Sequence, residues 1–505
     1  MAVFVEKMMR LIFRLLALPI ESAIFLSACV PSPKDIQMVE ALPNIFPDYI
    51  NVTVPAEIAP LNFNVMYENT EAVEVKVEER GEKKVLTLAK GNLASFNEEE
   101  WHNLLSANKG GEISLTVTAL QGGQWKQYEP FSIYVSEFPL EDYGLTYRRI
   151  APGYEVYSKM GIYQRCLSNF DEEAIIENTV SPGACLNCHT SNATKPNEFT
   201  FHLRGQHGAT MVQKNGNREW LKARNDSLGG SMVYPYWHSG GRYCAYSTNN
   251  THQAFHSFPN ERIEVYDVAS DVFVYDTETH ELILSPLLSM EDHFETYPAF
   301  SPDGKTLYFV SSDYKEIPSE YKEIRYDLCS IVFDAKTRKY GDKVDTLYSA
   351  SSMGKSLVFP RPSYDGKYLM FTLSDYGCFP IWHKEADLWL LNLETGEAKS
   401  LDEVNSEDTE SFHNWSSNSH WFVFSSRRMY GLYTQLFLSS IDSEGNVSKP
   451  FLLPQENPYE YYDITPYSFN VPDFTNTKVQ FDSSSSINEI NSESRLSTTV
   501  GNQTK

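Results

Sequence analysis

The chain has 505 residues, of which 41% are hydrophobic and 13% aromatic, and it carries a net charge of −25. This length exceeds what one ordinary hydrophobic core needs, so we expect two or three domains. The negative charge excludes nucleic acid as an expected partner, because binding it requires Lys and Arg to neutralise phosphates. The charge suits solubility or docking to a basic partner instead.

Residues 1–28 predict an export signal, because basic side chains precede an apolar stretch that ends in the letters LSAC at 26–29. This ending resembles the lipobox of bacterial lipoproteins. The resemblance implies that Cys29 becomes the first mature residue and carries lipid, which anchors a protein without a spanning helix. We therefore expect a cell-envelope protein, on the periplasmic face or the cell surface, with the outer membrane as the expected location. The alternative is a cytosolic protein with an apolar first helix.

Residues 29–49 are rich in proline and predict a linker. From 50 to 138 short runs such as LNFNVMYE, VEVKVEE and ISLTVTAL alternate apolar and polar residues. Alternating runs separated by turn residues are typical of a small β-sandwich of the immunoglobulin or fibronectin type. The sandwich contains no recognisable catalytic motif, so we expect a spacer or an interaction module.

Residues 139–475 contain repeats that predict a β-propeller. The segment YPYWHSGGRYCAYSTN at 234 aligns with YPAFSPDGKTLYFVSS at 297, FPRPSYDGKYLMFTLS at 359 and FHNWSSNSHWFVFSSR at 412. Repeats of four short strands at this spacing close into a ring, which leaves few exposed sheet edges. The turn SPDGK at 301–305 resembles the repeats of TolB-like propellers, and the resemblance implies about six blades.

The missing blades must come from segments outside the four clear repeats. Residues 161–167 and 209–224 resemble strands, and 461–474 could close the ring. On this interpretation the segment 168–208 is an inserted loop and helix within the first blade region. The tail 476–505 is rich in Ser, Asn and Thr, which predicts disorder. The expected fold is therefore all-β, with a sandwich, a propeller and a small insertion.

Residues 185–189 read CLNCH, a C-x-x-C-H motif formed by Cys185, Cys188 and His189. Such a motif indicates covalent c-type haem, in which two thiols bind the haem vinyl groups and the histidine binds iron. A zinc site would need a second ligand pair at short spacing, and no other C-x-x-C occurs in the chain. A redox pair would need a thioredoxin-like context, and a chance occurrence is also open. Export favours one covalent haem c.

A sixth iron ligand is expected close to the motif. The segment FTFHLRGQHGATM at 199–211 offers His202, His207 and Met211. A ligand so near His189 in sequence closes only a short loop. Methionine would raise the reduction potential, whereas a second histidine would lower it. An open sixth position is the alternative.

The pairing of one C-x-x-C-H with a propeller is similar to that in Bacteroidetes-type envelope lipoproteins labelled as cytochrome c biosynthesis or TolB-like proteins. We therefore expect a lipid-anchored haem protein that transfers electrons, with the propeller docking a protein partner. Alternatives are a propeller that binds a protein or glycan, with a structural or sensory haem, and a haem-dependent peroxidase-like enzyme. No Ser/His/Asp elbow, phosphate loop or paired-carboxylate motif stands out, so a haem-binding electron-transfer or binding protein is favoured over a hydrolytic enzyme, and a hydrolase or lyase in the propeller mouth is left as a further alternative. Four further cysteines could form two disulfides or remain thiols: Cys166, Cys244, Cys329 and Cys378.

Overall fold

The computed structural model describes residues 30–79, 82–151, 159–181, 183–225, 228, 230–258, 261–464, 467–492 and 494–501. The predicted signal peptide 1–28 and the predicted lipidation site Cys29 lie outside the described residues. No helix within these ranges is long and apolar enough to cross a membrane. The structure is predominantly β, which confirms the predicted fold class.

The N-terminal part consists of two sheets and one helix. The larger sheet contains the strands Gln37–Met38, Val52–Val54, Thr70–Glu79, Glu82–Lys90, Glu112–Gln121, Gln124–Gln127 and Phe131–Val135. The smaller sheet contains Ile45–Phe46, Phe63–Val65 and Leu93–Ala94. Helix α1, Glu98–Ala107, begins at Asn97, whose side chain accepts a hydrogen bond from the Glu100 backbone N–H. Trp101 buries α1 against the sheets.

The remaining strands form six blades with four strand positions each, numbered in chain order, and the sheet of blade 3 is extended by the short strands Arg224–Asn225 and Thr499–Val500. Blade 1 contains Gly144–Ile150, Met160–Cys166, Glu172–Glu177 and Ser468–Thr475; blade 2 contains Cys185–Asn192, Lys195–Arg204, Ala209–Lys214 and Asn217–Lys222; blade 3 contains Gly230–Trp237, Tyr243–Phe258, Glu261–Asp276 and Glu281–Ile283. Blade 4 contains His293–Phe300, Thr306–Asp313, Asp327–Asp334 and an outer position shared by Lys339–Tyr340 and Asp345–Tyr348; blade 5 contains Ser356–Pro362, Tyr368–Ser374, Asp387–Asn392 and Ala398–Ser400; blade 6 contains Glu410–Trp415, Trp421–Ser426, Gln435–Ser440 and Phe451–Leu452.

The C-terminal strand Ser468–Thr475 supplies the innermost strand of blade 1 and closes the ring. It pairs antiparallel with Gly144–Ile150, so one blade is built from both ends of the propeller sequence. This pairing satisfies edges that would otherwise be open to other chains. The inner strands pack against their neighbours around the ring, and this packing positions their side chains towards a common channel.

Two sequence predictions are wrong at this level. The segment predicted as an inserted loop and helix forms two strands of blade 2, Cys185–Asn192 and Lys195–Arg204. The predicted disordered tail contains helix α2, Ser483–Asn491, capped by Asp482, and a short strand, Thr499–Val500, that pairs with blade 3. Ile490 on α2 is fully buried against blade 2, which supplies the packing that the polar composition did not indicate.

The hairpin of blade 3 is unusually long. Its two strands have 16 residues each, whereas the blade itself needs about half of that length. The excess, residues 249–258 and 261–270, forms an arm that reaches the loop 375–386 of blade 5. There Glu264 accepts a hydrogen bond from the Tyr376 hydroxyl at 2.8 Å and lies 3.3 Å from Nε2 of His383. The arm is therefore attached to a blade two positions away in the ring.

Candidate functional site in the propeller channel

Each inner strand contains one non-glycine residue with a positive φ, between 45° and 55°, at a β-bulge. The strand pairing shifts register at this point in every blade. Such a bulge leaves one residue unpaired and redirects the neighbouring side chains. The six residues, in chain order, are Cys188, Tyr234, Tyr297, Phe359, Phe412 and Val471.

The aromatic members of this set form a continuous arc, which we call the collar. The ring centroids of Tyr234 and Tyr297 are 4.5 Å apart, those of Tyr297 and Phe359 are 4.6 Å apart, and those of Phe359 and Phe412 are 4.6 Å apart. Contacts at this distance are favourable between aromatic rings. Cys188 and Val471 are the bulge residues of the two remaining blades. The collar therefore lines the inner strands of blades 3 to 6 with a continuous row of aromatic rings.

The residue after the bulge distinguishes two blades from the other four. Four blades have proline there, at Pro235, Pro298, Pro360 and Pro472, whereas blades 2 and 6 have His189 and His413. Proline lacks an N–H and fits a position where the ladder is interrupted. The two imidazoles therefore replace a residue that serves the fold elsewhere in the ring.

Both histidines line one small pocket beside the collar. The other polar residues that line it are Thr190, Arg361, Asn414 and Asp473, so the pocket lies between the inner strands of blades 1, 2, 5 and 6. Its volume is about 20 Å³, which is enough for one water molecule. The site thus concentrates two imidazoles, a guanidinium and a carboxyl group around a very small space.

The two imidazoles are buried and neutral. His189 and His413 are each 2% exposed, and neither nitrogen of either ring has a hydrogen-bond partner of good geometry among the described residues. Burial lowers the pKa of His189 to about 4, against a smaller opposing contribution from the Thr146 backbone. Burial likewise lowers the pKa of His413 to about 3, against smaller opposing contributions from the backbone of Met370 and Phe359, neither of which reaches good hydrogen-bond geometry with the ring. At neutral pH each ring therefore offers one N–H donor and one acceptor nitrogen.

Asp473 connects three blades and titrates close to neutral pH. Its carboxylate accepts hydrogen bonds from the Ser191 backbone N–H at 2.8 Å, the Thr190 hydroxyl at 3.2 Å and the Asn414 side-chain amide at 2.6 Å. These donors favour the charged form, but burial is the larger effect and raises the pKa of Asp473 to about 6. This group can hold or release a proton under physiological conditions.

Arg361 brings a positive charge to the same pocket. Its guanidinium carbon lies 5.3 Å from the centroid of the Tyr236 ring, and one of its nitrogens donates to the carbonyl of Pro360 at 3.3 Å. Within the described residues it forms no ion pair with a carboxylate. Burial lowers the pKa of Arg361, with Tyr236 and Asp473 opposing that effect. The guanidinium is therefore partly desolvated without a direct counter-ion.

The structure brings only one of the sequence-predicted site residues into this pocket. His189 lines it, whereas Cys188 belongs to the ring of bulge residues and Cys185 contacts Arg148, with its Sγ 3.3 Å from a guanidinium nitrogen. The predicted sixth ligands lie elsewhere in blade 2: His202 bonds Thr210 at 3.0 Å, Met211 is fully buried in a hydrophobic cluster, and the carbonyl of His207 accepts from Arg495.

Sequence reasoning missed three of the pocket residues. They are His413, Arg361 and Asp473, none of which belongs to a motif singled out in the sequence. The signal is present in the aligned repeats, where FPRP, FHNW and VPDF place Arg361, Asn414 and Asp473 two residues after the bulge. CHTS at 188–191 belongs to the same alignment. Cys188 and His189 belong both to the C-x-x-C-H motif and to this repeat, and the motif alone predicted haem.

The predicted haem pocket does not have the predicted architecture. Cys185 and Cys188 are 5% and 8% exposed on a blade strand, and the cavity beside His189 is about 20 Å³. Cofactor sites usually measure about 300–1,000 Å³. The described residues contain no group of three or more His, Cys, Asp or Glu side chains arranged to hold a metal ion. All six described cysteines are buried thiols. Covalent attachment of haem c itself stays a prediction.

Comparison with known proteins gives structural matches only. No family model matches the chain, and no curated protein matches it. A puromycin-hydrolysing peptidase of Mycobacterium tuberculosis matches with 12% identity and a TM-score of 0.36, over 68% of this chain and 52% of the peptidase. A structure from a study of two prolyl endopeptidases matches with 12% identity and a TM-score of 0.35, over 63% and 52%.

A third match is the β-propeller domain of the Trilobed protease from Pyrococcus furiosus, whose structure has an open velcro topology. It shares 11% identity with a TM-score of 0.33, over 67% of this chain and 81% of that domain. The chain spans about half the length of the two peptidases above, 52% in each case. At this level of identity the likeness extends to the fold alone.

The predicted function is corrected on these findings. The expected haem-dependent electron transfer, with its binding-module and peroxidase-like alternatives, is corrected, because the C-x-x-C-H motif forms a buried blade strand beside a cavity of only about 20 Å³. The expectation of a non-hydrolytic protein is withdrawn as well, and the likeness to these peptidase structures establishes no activity for this chain. What the chain shares with them is a β-propeller.

Proposed function

We propose that the channel pocket is the functional site and that it binds a small polar ligand. The observation that carries this proposal is the pair of buried, neutral histidines whose four ring nitrogens have no hydrogen-bond partner of good geometry among the described residues, although backbone carbonyls lie near both rings. Leaving a buried polar group unpaired costs about 1–3 kcal/mol, so a fold gains nothing from such side chains unless something else bonds them. The four proline-containing blades show that the fold does not require histidine there.

The pocket also has the composition of a binding site. Binding sites combine apolar walls with a few convergent polar groups that fix the orientation of the ligand. Here Phe359 and Phe412 supply apolar walls, while the two histidines and Arg361 supply donors from three different blades. A ligand at this point would therefore contact blades 2, 5 and 6 at once.

The test is a ligand screen on the full chain against two variants. Wild-type protein would be titrated with one- to three-carbon acids, amides and alcohols, and binding followed by saturation-transfer NMR and by the melting temperature. We expect at least one probe to bind the wild type, and we expect His413→Pro to bind that probe about tenfold or more weakly. The control is His293→Ala, because His293 bonds the exposed Asp292 and Asp313, far from the pocket. Equal binding to wild type and His413→Pro would contradict the proposal.

A second candidate function is acid–base hydrolysis at the same pocket, favoured by Asp473. A carboxyl group with a pKa near the working pH is suited to accept a proton from water and return it to a leaving group. The water-sized cavity beside it would hold that nucleophile. A panel of chromogenic esters, amides and glycosides tests this candidate. For any substrate that the wild type hydrolyses, Asp473→Asn should lower kcat by about 100-fold or more. An unchanged kcat in this variant would contradict the second candidate function.

We further propose that the chain is an envelope lipoprotein of the TolB-like kind, exported and anchored through Cys29. The support is the basic and apolar N-terminal sequence that ends in LSAC. Expression in a bacterium with lipoprotein-processing enzymes, followed by labelling with an alkyne fatty acid, tests this proposal. The label and membrane association should both disappear in Cys29→Ser and persist in Cys166→Ser, which alters a buried thiol of blade 1.

A further inference from the structure

The charge balance of the channel pocket indicates what kind of ligand it takes. Arg361 is the one group among the described residues lining this site that is positive at neutral pH, since both histidines are neutral there. Asp473 does not form an ion pair with Arg361, because its two oxygens are engaged by Ser191, Thr190 and Asn414. The guanidinium therefore retains the capacity to bind an anion.

The orientation of Arg361 suits a planar anion. Its guanidinium lies beside the Tyr236 ring, which restricts the rotation of the side chain. A guanidinium held in one plane can donate two parallel hydrogen bonds to a carboxylate. Only a small head group can enter, because the cavity is about 20 Å³. These observations favour a carboxylate over a bulkier tetrahedral anion.

The two histidines complete the recognition of such a group. Each neutral imidazole has one N–H to donate, and His189 and His413 enter the pocket from blades on either side of blade 1. A carboxylate has about four acceptor positions and would satisfy donors from Arg361 and from both rings. It would remove the unpaired donors that the site otherwise carries.

Resting on the proposed function, we infer that the ligand carries a carboxylate, that Arg361 is its specificity-determining residue, and that binding takes up one proton at the pocket. Before binding, the charges of Arg361 and Asp473 offset each other. Adding an anion would leave a buried net negative charge, which is costly in a low-dielectric site. Protonation of Asp473 restores neutrality.

The groups that face the titrating side chains are few. Asp473 faces Arg361 and Asp142, and Asp142 lies between the sandwich and blade 6, where it accepts a hydrogen bond from Ser417. His189 faces Arg148 of blade 1, and His413 faces Arg361. Tyr236 and Tyr364 have pKa values raised by burial and stay neutral. Asp142 repels a second negative charge and so favours proton uptake.

The experiment compares carboxylates with their uncharged amides on the full chain. Acetate and propionate would be titrated against acetamide and propionamide at pH 7, by calorimetry in two buffers that differ in ionisation enthalpy. We expect the acids to bind about tenfold or more tightly than the amides, and the buffer dependence to report uptake of about one proton. In Arg361→Gln the preference for the acid should disappear, while in Arg361→Lys part of it should remain.

The outcomes separate this inference from the proposed function. Equal affinity for acids and amides, or acid binding without proton uptake, would overturn the inference and leave the pocket as a binding site. Binding of neither class would overturn both. The melting temperature of Arg361→Gln, together with its affinity for the amides, shows whether that variant is folded, so that loss of selectivity cannot be mistaken for unfolding.

Discussion

At the scale of single residues, the position after each bulge separates what the fold needs from what it does not. Proline occupies it in four blades, after a residue whose φ is positive, so the backbone of this ring accepts proline at that point. His189 and His413 occupy the same position with ring nitrogens that lack protein partners among the described residues. Proline at either position would therefore match the other four blades and should be compatible with the backbone conformation of the inner strand.

His413→Pro should keep the free energy of unfolding within about 1 kcal/mol of the wild type. The variant loses two unpartnered polar atoms and restricts the unfolded chain, which together offset the lost packing of the ring. Equilibrium unfolding in urea measures this. A decrease of more than about 3 kcal/mol in the free energy of unfolding would show that the imidazole makes hydrogen bonds that stabilise the fold, and would contradict the proposal that its nitrogens are free to bind a ligand.

Glu295 of blade 4 gives a second prediction at this scale. Burial raises its pKa to about 8, with repulsion from Asp271 adding to the effect and the Met290 backbone opposing it, and neither carboxylate oxygen has a hydrogen-bond partner of good geometry among the described residues. Because the folded-state pKa lies above the unfolded value, the native state binds more protons between about pH 4.5 and 8. Stability from this group is complete below that range and is lost as pH rises through it.

Glu295→Gln should remove this dependence, since the amide does not titrate. Between pH 5 and pH 8.5 the stability of the wild type should fall by roughly 1–3 kcal/mol more than that of the variant. Urea unfolding of both proteins at the two pH values measures the difference, and Glu278→Gln, which changes a largely exposed carboxylate, is the control. Parallel pH profiles for wild type and Glu295→Gln would contradict the raised pKa.

At the scale of elements, the arm of blade 3 is held by a few polar contacts to blade 5. Glu264 is 4% exposed and pairs with Tyr376 and His383, while Asp267 accepts hydrogen bonds from Asn249 and Thr251 within the arm. The sequence did not predict this element, because its alternating pattern is the same inside and outside the blade. Strand length depends here on contacts with a distant loop.

Glu264→Ala should detach the arm without unfolding the blade. The variant removes the acceptor for Tyr376 and the partner of His383, which we expect to speed hydrogen exchange in the arm by about tenfold or more. Residues 271–276, which pair within the blade, should exchange at the wild-type rate. Hydrogen exchange by mass spectrometry tests this, with the exposed Gln253→Ala as control. Equal exchange in the arm for both variants would contradict the anchoring role.

The predictability of the blades depended on their turns. Blade 4 was clear because Asp303 of SPDGK accepts from the Ser301 hydroxyl and the Lys305 backbone, and Gly304 has a φ of 72°. Blade 2 was missed because its turn places Ala193 and Thr194 at positive φ without a glycine. Helix α2 was missed because a run of serines indicates disorder, although Asp482 caps the helix and Arg218 bonds Glu489.

At the scale of the whole molecule, closure of the ring depends on the strand Ser468–Thr475 and less on the residues after it. Asp473 and Phe474 of this strand join blade 1 to its neighbours, whereas α2 packs on the outside of blade 2. The sandwich is fixed to blade 6 by Trp421, whose ring N–H donates to the Phe138 carbonyl at 3.2 Å, and by Tyr49, whose hydroxyl donates to the Leu452 carbonyl at 3.2 Å. The pocket is therefore built by the closed ring.

Two truncations should separate these contributions. Removal of residues 477–505 should lower the free energy of unfolding by about 2–4 kcal/mol, because it deletes the buried side chains of Val479 and Ile490 and exposes the surface that they cover. Unfolding should stay cooperative. Removal of residues 468–505 should abolish cooperative unfolding, because blade 1 loses its inner strand. Circular dichroism during thermal unfolding measures both. A cooperative transition in the longer truncation would contradict closure by this strand.

The central claim is that the imidazoles of His189 and His413 bind a ligand in the channel pocket. A crystal structure of the full chain at about 1.2 Å resolution, grown with acetate, tests it most directly. The account predicts a carboxylate within hydrogen-bond distance of both rings and of Arg361, absent from crystals of His413→Pro. Rings hydrogen-bonded to protein groups, with no ligand between them, would contradict it.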